Sequence, residues 1–193
     1  SWSSLAAIAI ALSSITFALI LNRTTPNQPL NLGNIPEFEL IERSGRIVTR
    51  AELDGQVWVA DFIFTNCGGT CPMMTYQMTK LDKVLPPTVR LVSFTVDPTR
   101  DNPEVLSQYA IKNDVESNRW IFLTGERDSL YRLAREGFHL AVDDTIGTLV
   151  EPITHSSRFT LIDEAGNIRN YYDGTSLETI GQIIDDVETL LAD

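Results

Sequence analysis

The chain has 193 residues, which is enough for one domain with a sizeable buried core and an additional segment. Its formal net charge of -11 argues against a nucleic-acid-binding protein, because such a protein needs a basic face. A negative net charge most often serves to keep a protein soluble, although it could also attract cations or a basic partner.

The N-terminal segment from Trp2 to Leu21 contains no charged side chain and consists mainly of Ala, Ile, Leu and Ser. About twenty helical residues span roughly 30 Å, the thickness of the hydrocarbon core of a bilayer. We therefore predict that residues 1–21 form a transmembrane helix that anchors the protein in a membrane. A signal peptide is the less favoured alternative because its apolar part is shorter and Leu21-Asn22-Arg23 is a poor cleavage site. A buried helix of a soluble protein is the third alternative.

Residues 22–36 are rich in Asn, Thr and Pro and predict an extended linker between the anchor and a folded domain over residues 37–193. The domain opens with two short segments, Phe38 to Ile41 and Arg46 to Thr49. They flank Ser44-Gly45, so we predict a small hairpin there.

The rest of the domain alternates between predicted strands and helices. The predicted strands are 57–64, 89–96, 120–123, 158–162 and 168–172, and the predicted helices are 73–85, 103–111, 127–136 and 177–191. The first of these strands is apolar except for Asp61, as expected when both faces of a sheet are covered. This order predicts an α/β fold in which helices flank a mixed sheet, and a thioredoxin-like arrangement satisfies it.

The only two cysteines, Cys67 and Cys71, follow the first predicted buried strand, at the edge where α/β sheets place their sites. Pro72 suits the first turn of a helix, so we expect Cys71 at a helix N-terminus that stabilises its thiolate. Gly68 and Gly69 permit a tight loop that brings Cys67 back toward Cys71.

Two thiols in this position indicate either a redox couple or part of a soft-metal site. A purely structural disulfide is disfavoured because it would close a very small loop and constrain the unfolded chain little. A structural zinc site would need four Cys and His ligands. The chain has only two of each, and the two histidines need not both be within reach of the thiols. His155 lies in a loop before a predicted strand and could reach the thiols, whereas His139 lies among apolar residues and we expect it to be packed or half-exposed.

With these elements the sequence resembles the Sco/SenC family of membrane-anchored, thioredoxin-like copper proteins, which help to assemble the copper (CuA) centre of cytochrome c oxidase. The resemblance covers roughly residues 35–190. Its motifs are Phe64-Thr65-Asn66-Cys67 with Cys71-Pro72, Thr95-Val96-Asp97-Pro98 continuing to Arg100-Asp101, the distal His155, and the turn from Asp163 to Gly166. Gly68-Gly69 departs from the stiffer loop expected between the cysteines.

The resemblance implies that Cys67, Cys71 and His155 are the copper ligands. A mixed set of thiolates and an imidazole can accept both Cu(I) and Cu(II), which suits a carrier that changes oxidation state. The implied partner is the copper-bearing subunit of cytochrome c oxidase or another copper protein. The resemblance also implies that the domain is anchored to a membrane and faces an extracytoplasmic compartment. No nucleic acid is expected as a partner.

Two other functions stay open on the sequence. If Cys67 and Cys71 are redox-active, the protein could be a thiol–disulfide oxidoreductase acting on partner cysteines, or it could be a copper or redox sensor.

For Asp97 and Asp101 we favour a turn and a helix N-cap over orientation of the site or partner docking. For Met73, Met74 and Met78 we favour core packing over an auxiliary copper role.

Overall fold

The computed structural model describes residues 30–115, 117–143 and 153–192. Within them lie nine strands: β1 (Glu39–Glu42), β2 (Ile47–Thr49), β3 (Trp58–Ile63), β4 (Arg90–Thr95), β5 (Trp120–Thr124), β6 (Val142–Asp143), β7 (Thr154–His155), β8 (Arg158–Ile162) and β9 (Ile168–Asp173). Seven of them form one mixed sheet in the order β2-β1-β5-β4-β3-β8-β9, and β6 pairs with β7 separately.

Four α-helices accompany the sheet: α1 (Cys71–Val84), α2 (Pro103–Lys112), α3 (Arg127–Arg132) and α4 (Thr179–Ala192). The helices α1 and α2 connect the parallel strands β3, β4 and β5, and α4 packs against α1. This arrangement confirms the predicted thioredoxin-like α/β fold with a mixed sheet and helices.

Strand β3 lies in the middle of the sheet and positions the cysteines. All six of its residues are buried, as its nearly continuous apolar sequence predicts. It pairs in parallel with β4 and antiparallel with β8. Because β3, β4 and β5 run in the same direction, their carboxyl ends meet at one edge of the sheet, and the segment that carries Cys67 and Cys71 leaves from that edge.

The predicted helix over residues 127–136 is confirmed, but its second half is not an α-helix. Helix α3 ends at Arg132, and a π-helix covers Leu133–Gly137, with the Phe138 N–H donating to the Leu133 carbonyl at 2.9 Å. The wider turn brings the backbone of Gly137 against Pro36, where an added Cβ would lie 2.8 Å from the proline Cδ. A helix-like spacing of apolar residues does not reveal such an inserted residue.

Some short elements were not predicted. They are the 3-10 helix Arg50–Leu53 and the strand pair β6–β7. Each is too short to show a repeating pattern of apolar residues. The last helix also begins two residues later than predicted, at Thr179.

Residues 30–36, at the end of the predicted linker, lie against the domain. The Leu32 N–H donates to the Ile168 carbonyl at 2.9 Å, and the Ile168 N–H donates to the Gly33 carbonyl at 2.8 Å. Ile35 is 1% exposed. This segment therefore covers part of β9, and the predicted domain boundary at residue 36 stays a prediction.

The predicted transmembrane helix over residues 1–21 lies outside the described residues. Among the helices that the structure describes, none is long and apolar enough to cross a membrane.

Candidate metal site

The loop between β3 and α1 carries both cysteines. Cys71 is the first residue of α1 and is completely buried, whereas Cys67 in the preceding loop is half-buried. The Gly69 N–H donates to the Cys67 Sγ at 3.4 Å. Neither Gly68 nor Gly69 has a positive φ, so the loop does not use the left-handed conformations that glycine permits.

His155 reaches the cysteines from the other side. It lies in β7, where it pairs with Val142, rather than in a loop as the sequence predicted. Its Nδ1 lies 3.1 Å from the Ser156 carbonyl oxygen, which can only accept a hydrogen bond, so Nδ1 carries the proton. Its Nε2 lies 3.2 Å from the Cys71 Sγ. In the neutral ring this Nε2 carries a free lone pair, whereas in the protonated ring it donates a hydrogen bond to a cysteine sulfur. The Phe64 ring meets the imidazole edge to face, with centroids 5.6 Å apart, and limits its rotation.

The structure therefore brings together the three side chains that the sequence singled out. The Sγ atoms of Cys67 and Cys71 and a ring nitrogen of His155 lie within 4.8 Å of one another. Two sulfurs and one imidazole nitrogen form a donor set for a soft or borderline metal, with Cu(I) favoured by the sulfurs. The arrangement can also support thiol–disulfide chemistry, because both thiols are in one small cluster.

The two thiols differ in acidity. Burial alone would raise the pKa of Cys67, but hydrogen bonds from His155, from the Cys71 backbone and thiol, and from the Gly69 N–H outweigh it and lower the pKa to about 7. For Cys71, burial raises the pKa well above its ordinary value, and the neighbouring Cys67 and Asp61 add to the rise. At neutral pH the first proton is therefore lost from Cys67.

The prediction that the helix N-terminus stabilises the Cys71 thiolate is wrong. The N–H groups of Met73 and Met74 both donate to the Thr70 carbonyl at 3.1 Å, and Pro72 has no N–H. The N–H of Cys71 itself is directed at Cys67. The first turn of α1 thus stabilises the anion of the cysteine in the loop instead of the cysteine on the helix.

Asp101 fixes the start of the cysteine loop. Its buried carboxylate accepts hydrogen bonds from the Thr65 N–H at 3.0 Å, from the Thr65 hydroxyl at 2.5 Å and from the Thr95 hydroxyl at 2.6 Å. It therefore ties the end of β4 to the residue two positions before Cys67. The N-cap of α2 is Asn102, whose side chain accepts from the Val105 N–H, so the predicted capping role of Asp101 is wrong.

Asp97 does occupy the predicted turn. Its carbonyl accepts from the N–H groups of Arg100 and Asp101 at 3.0 and 2.9 Å. Its carboxylate forms an ion pair with the Arg100 guanidinium at 2.7 Å. This turn sets the position from which Asp101 reaches the cysteine loop.

A buried carboxyl group next to the site was given no role in the sequence analysis. Asp61 in β3 is 1% exposed, and its Oδ1 accepts from the Ser93 hydroxyl at 2.6 Å, which in turn accepts from the Trp120 indole N–H at 2.9 Å. Burial raises the pKa of Asp61 to about 7, against the opposing effects of the Ser93 hydrogen bond and of His155. The available signal was a single acidic residue inside an otherwise apolar buried strand.

The remaining candidate residues lie outside the Cys-Cys-His group. Met74 and Met78 are completely buried, which confirms their predicted packing role. The same prediction is wrong for Met73, which is 42% exposed on the outer side of α1. His139 is exposed, has a φ of 53° and lies against Gly33. It belongs to no candidate metal group found among the described residues.

The fold and this group of side chains define a thioredoxin-like protein with a candidate soft-metal site. The family model described as SCO1/SenC matches residues 27–192. The chain therefore belongs to the SCO1/SenC family.

Known relatives agree with this assignment over most of their length. The SCO1 protein homolog of Bacillus subtilis is 36% identical over 165 residues, which are 83% of this chain and 84% of the relative. A SCO1/SenC family lipoprotein from Bacillus anthracis has a similar structure, with a TM-score of 0.77 and 34% identity over 86% of this chain and 98% of its own.

Two further solved structures show the same fold. BsSco, a Sco family cytochrome c oxidase assembly protein with a disulfide switch, has a TM-score of 0.73 and 32% identity over 86% of this chain and 96% of its own. ScoI of Arabidopsis thaliana, solved with copper bound, has a TM-score of 0.67 and covers 81% of this chain and 97% of its own. It is 23% identical, so this likeness concerns the fold alone.

Proposed function

We propose that the protein is a copper chaperone that binds copper through Cys67, Cys71 and His155 and delivers it during assembly of the CuA centre of cytochrome c oxidase. The observation that carries the proposal is the grouping of the two Sγ atoms and a His155 ring nitrogen within 4.8 Å. Membership of a family whose member BsSco is described as a cytochrome c oxidase assembly protein supports the choice of partner.

The donor set suits copper as cargo in both oxidation states. Thiolates favour Cu(I), and the harder imidazole nitrogen favours Cu(II). His155 offers its Nε2 lone pair because its Nδ1–H is held by the Ser156 carbonyl at 3.1 Å, an arrangement that orients histidine ligands in metal sites. Cys67, with a pKa of about 7, supplies the first thiolate at neutral pH, and Cys71 releases its proton when the metal binds.

The proposed location follows from the N-terminal segment. Residues 1–21 would anchor the chain in a membrane, residues 22–36 would link the anchor to the domain, and residues 37–193 would face an extracytoplasmic compartment. The apolar composition of residues 2–21 and its length relative to a bilayer support this arrangement. The copper-bearing subunit of cytochrome c oxidase, or another copper protein, would be met on that side.

The test compares the two histidines of the full chain. We expect the reduced chain to bind one copper, and His155→Ala to weaken Cu(II) binding by at least about tenfold and Cu(I) binding less, because imidazole is the harder ligand. His139→Ala is the matched control and should bind copper as the wild type does. Unchanged Cu(II) spectra and stoichiometry in His155→Ala would show that the three-ligand assignment is wrong.

A second function, thiol–disulfide oxidoreductase, is favoured by the unequal cysteines. The Cys67 thiolate would attack a partner disulfide, forming a mixed disulfide and releasing one partner thiolate. Cys71 would then give up its proton and attack the Cys67 sulfur, so that the chain is oxidised to the disulfide and the partner is reduced to two thiols. Fast turnover on a disulfide substrate that persists in His155→Ala would favour this enzyme over the chaperone.

A further inference from the structure

The exposed side of α1 carries an unusual set of side chains that starts at the candidate copper site. Met73, Tyr76, Lys80 and Lys83 follow one another at intervals of three and four residues, so they form a single stripe along the helix. Met73 and Tyr76 are 42% and 53% exposed, and Met73 is two positions after the ligand candidate Cys71. We call these four residues the α1 stripe.

The α1 stripe is basic in a strongly acidic protein. The chain contains three lysines in all, Lys80, Lys83 and Lys112, and two of them lie on the stripe. The only acidic residue of α1, Asp82, is turned away from it and pairs with Arg119 at 2.9 Å. Helix α4, which packs against α1, has three acidic residues and no basic one. The stripe is therefore a local positive feature on a surface of net negative charge.

Apolar side chains lie at the end of the stripe nearest the cysteines. Gln77 of α1 donates to the Ser176 carbonyl at 2.9 Å, so the residue before Leu177 is bonded to this helix, and Leu177 is 70% exposed. The Lys80 ammonium lies 4.4 Å from the centre of the Tyr76 ring, so these two side chains of the stripe are in contact. Exposed Met and Tyr with charged residues around them are typical of a protein–protein contact surface.

We propose that the α1 stripe is the docking surface for the copper partner, and that this partner presents an acidic surface next to its own copper ligands. The inference rests on the proposed copper-chaperone function and adds the chemistry of the partner. Met73, Tyr76 and Leu177 would contact apolar groups close to the site, while Lys80 and Lys83 would face carboxylates. Electrostatic attraction of this kind orients partners during encounter and speeds association.

The test uses the reduced, copper-free full chain in a zwitterionic detergent. The probe is a glutamate-rich peptide, and the comparison peptide has lysines in place of the glutamates. Titration followed by amide NMR shifts should move the signals of residues 72–84 and give a Kd about tenfold lower for the acidic peptide. The difference should shrink as salt is added.

Matched variants separate the stripe from general charge effects. Changing Lys80 and Lys83 together to Glu should raise the Kd for the acidic peptide by about tenfold or more, and changing both to Gln should have a smaller effect in the same direction. Lys112→Glu, the same substitution at the exposed end of α2, should change the Kd by less than about twofold. Tyr76→Ser should weaken binding, whereas Ile111→Ser, at a residue 74% exposed on α2, should not.

Several results would contradict the proposal that the α1 stripe is a docking surface. These are shifts centred away from α1, a Lys80/Lys83 double variant that binds like the wild type, self-association through the stripe, or binding of phosphatidylserine vesicles without binding of the peptide. The proposed function fails separately, because copper stoichiometry is measured by titrating the same copper-free preparations with Cu(I) in the absence of peptide. A wild-type chain that binds no copper would contradict the chaperone function and leave the peptide titration interpretable.

Discussion

At the scale of single residues, the cysteines have different environments and different acidities. Cys67 is half-buried in a loop and receives hydrogen bonds from backbone N–H groups, whereas Cys71 is completely buried at the start of α1. Such an asymmetry separates a reactive thiol from a protected one. The same asymmetry sets the order in which the thiols lose protons when a metal binds.

The first prediction concerns alkylation of the reduced, copper-free chain by iodoacetamide. Because the thiolate is the nucleophile and the Cys67 pKa is about 7, we expect Cys67 to be modified first. Its rate should be half-maximal near pH 7 and should fall as the pH is lowered. Cys71 should react much more slowly, since burial raises its pKa. Mass spectrometry of the modified peptides measures both rates.

The control for this prediction is Cys67→Ser, in which Cys71 is the only remaining thiol and should stay slow to react. Preferential modification of Cys71 in the wild type would contradict the assignment of the low pKa to Cys67. The helix N-terminus would then act as the sequence alone suggested.

The second prediction concerns Asp101, which accepts three hydrogen bonds from Thr65 and Thr95. Asp101→Asn replaces one acceptor oxygen by a donor group, so at least one buried donor loses its partner. We expect the free energy of unfolding to fall by about 1.5–3 kcal/mol, as measured by urea unfolding. We also expect faster loss of copper, because the cysteine loop is less firmly held.

Asp185→Asn is the control for the Asp101 variant, since it makes the same chemical change at an exposed position on α4. It should alter stability by less than about 0.5 kcal/mol. Equal stability losses in the two variants would mean that the hydrogen bonds of Asp101 do not hold the loop.

At the scale of elements, the strands and helices with a regular pattern of apolar residues could be predicted from the sequence. The irregular elements became visible only in the structure. Buried strands such as β3 and long helices such as α1 carry a regular pattern of apolar residues, and their positions were predicted closely. The π-helix after Arg132 and the β6–β7 pair that holds His155 have no such pattern. They depend on contacts with residues far away in the chain, such as Pro36 and Val142.

The third prediction concerns the contact between α1 and the end of β9 at Gly174. A Cβ at this position would lie 2.7 Å from the Ser157 carbonyl oxygen and 3.2 Å from the Met74 Cγ. Because backbone and a buried side chain must both move, Gly174→Ala should lower the free energy of unfolding by about 1–3 kcal/mol. Thermal or urea unfolding provides the measurement.

Gly181 in α4 offers a control with the opposite expected sign. Nothing lies within 4 Å of a Cβ added there, and alanine is the better helix former, so Gly181→Ala should stabilise the protein by about 0.5–1 kcal/mol. A stabilised Gly174→Ala variant would show that α1 and the β8–β9 hairpin are not packed as closely as described.

At the scale of the whole molecule, the sheet gathers residues that are far apart in the sequence. Cys67 and Cys71 follow β3, Asp101 follows β4, and His155 comes from the segment before β8. The cysteine pair could be recognised from its spacing alone. His155 could be assigned to the site only through the family resemblance. The hydrogen bonds between Asp101 and Thr65 could be found only in the structure, because distance along the sequence carries no information about how β3 and β4 align.

The charge of the molecule is also unevenly distributed at this scale. A net charge of -11 first indicated solubility or attraction of cations and basic partners. The α1 stripe, with two of the three lysines, indicates instead an acidic partner at the side of the molecule where the candidate site lies. Net charge alone could not have distinguished these two cases, since it does not show where the charges are.

The measurement that tests the central claim most directly is copper K-edge X-ray absorption of the reduced, Cu(I)-loaded full chain. We predict scattering from two sulfurs at about 2.3 Å and one nitrogen near 2.0 Å, by analogy with the lengths of zinc bonds to Cys and His. Cys67→Ser should remove one sulfur contribution, His155→Ala should remove the nitrogen, and His139→Ala should change nothing. A spectrum without sulfur scattering, or one unchanged in both Cys67→Ser and His155→Ala, would contradict the assignment of the copper site.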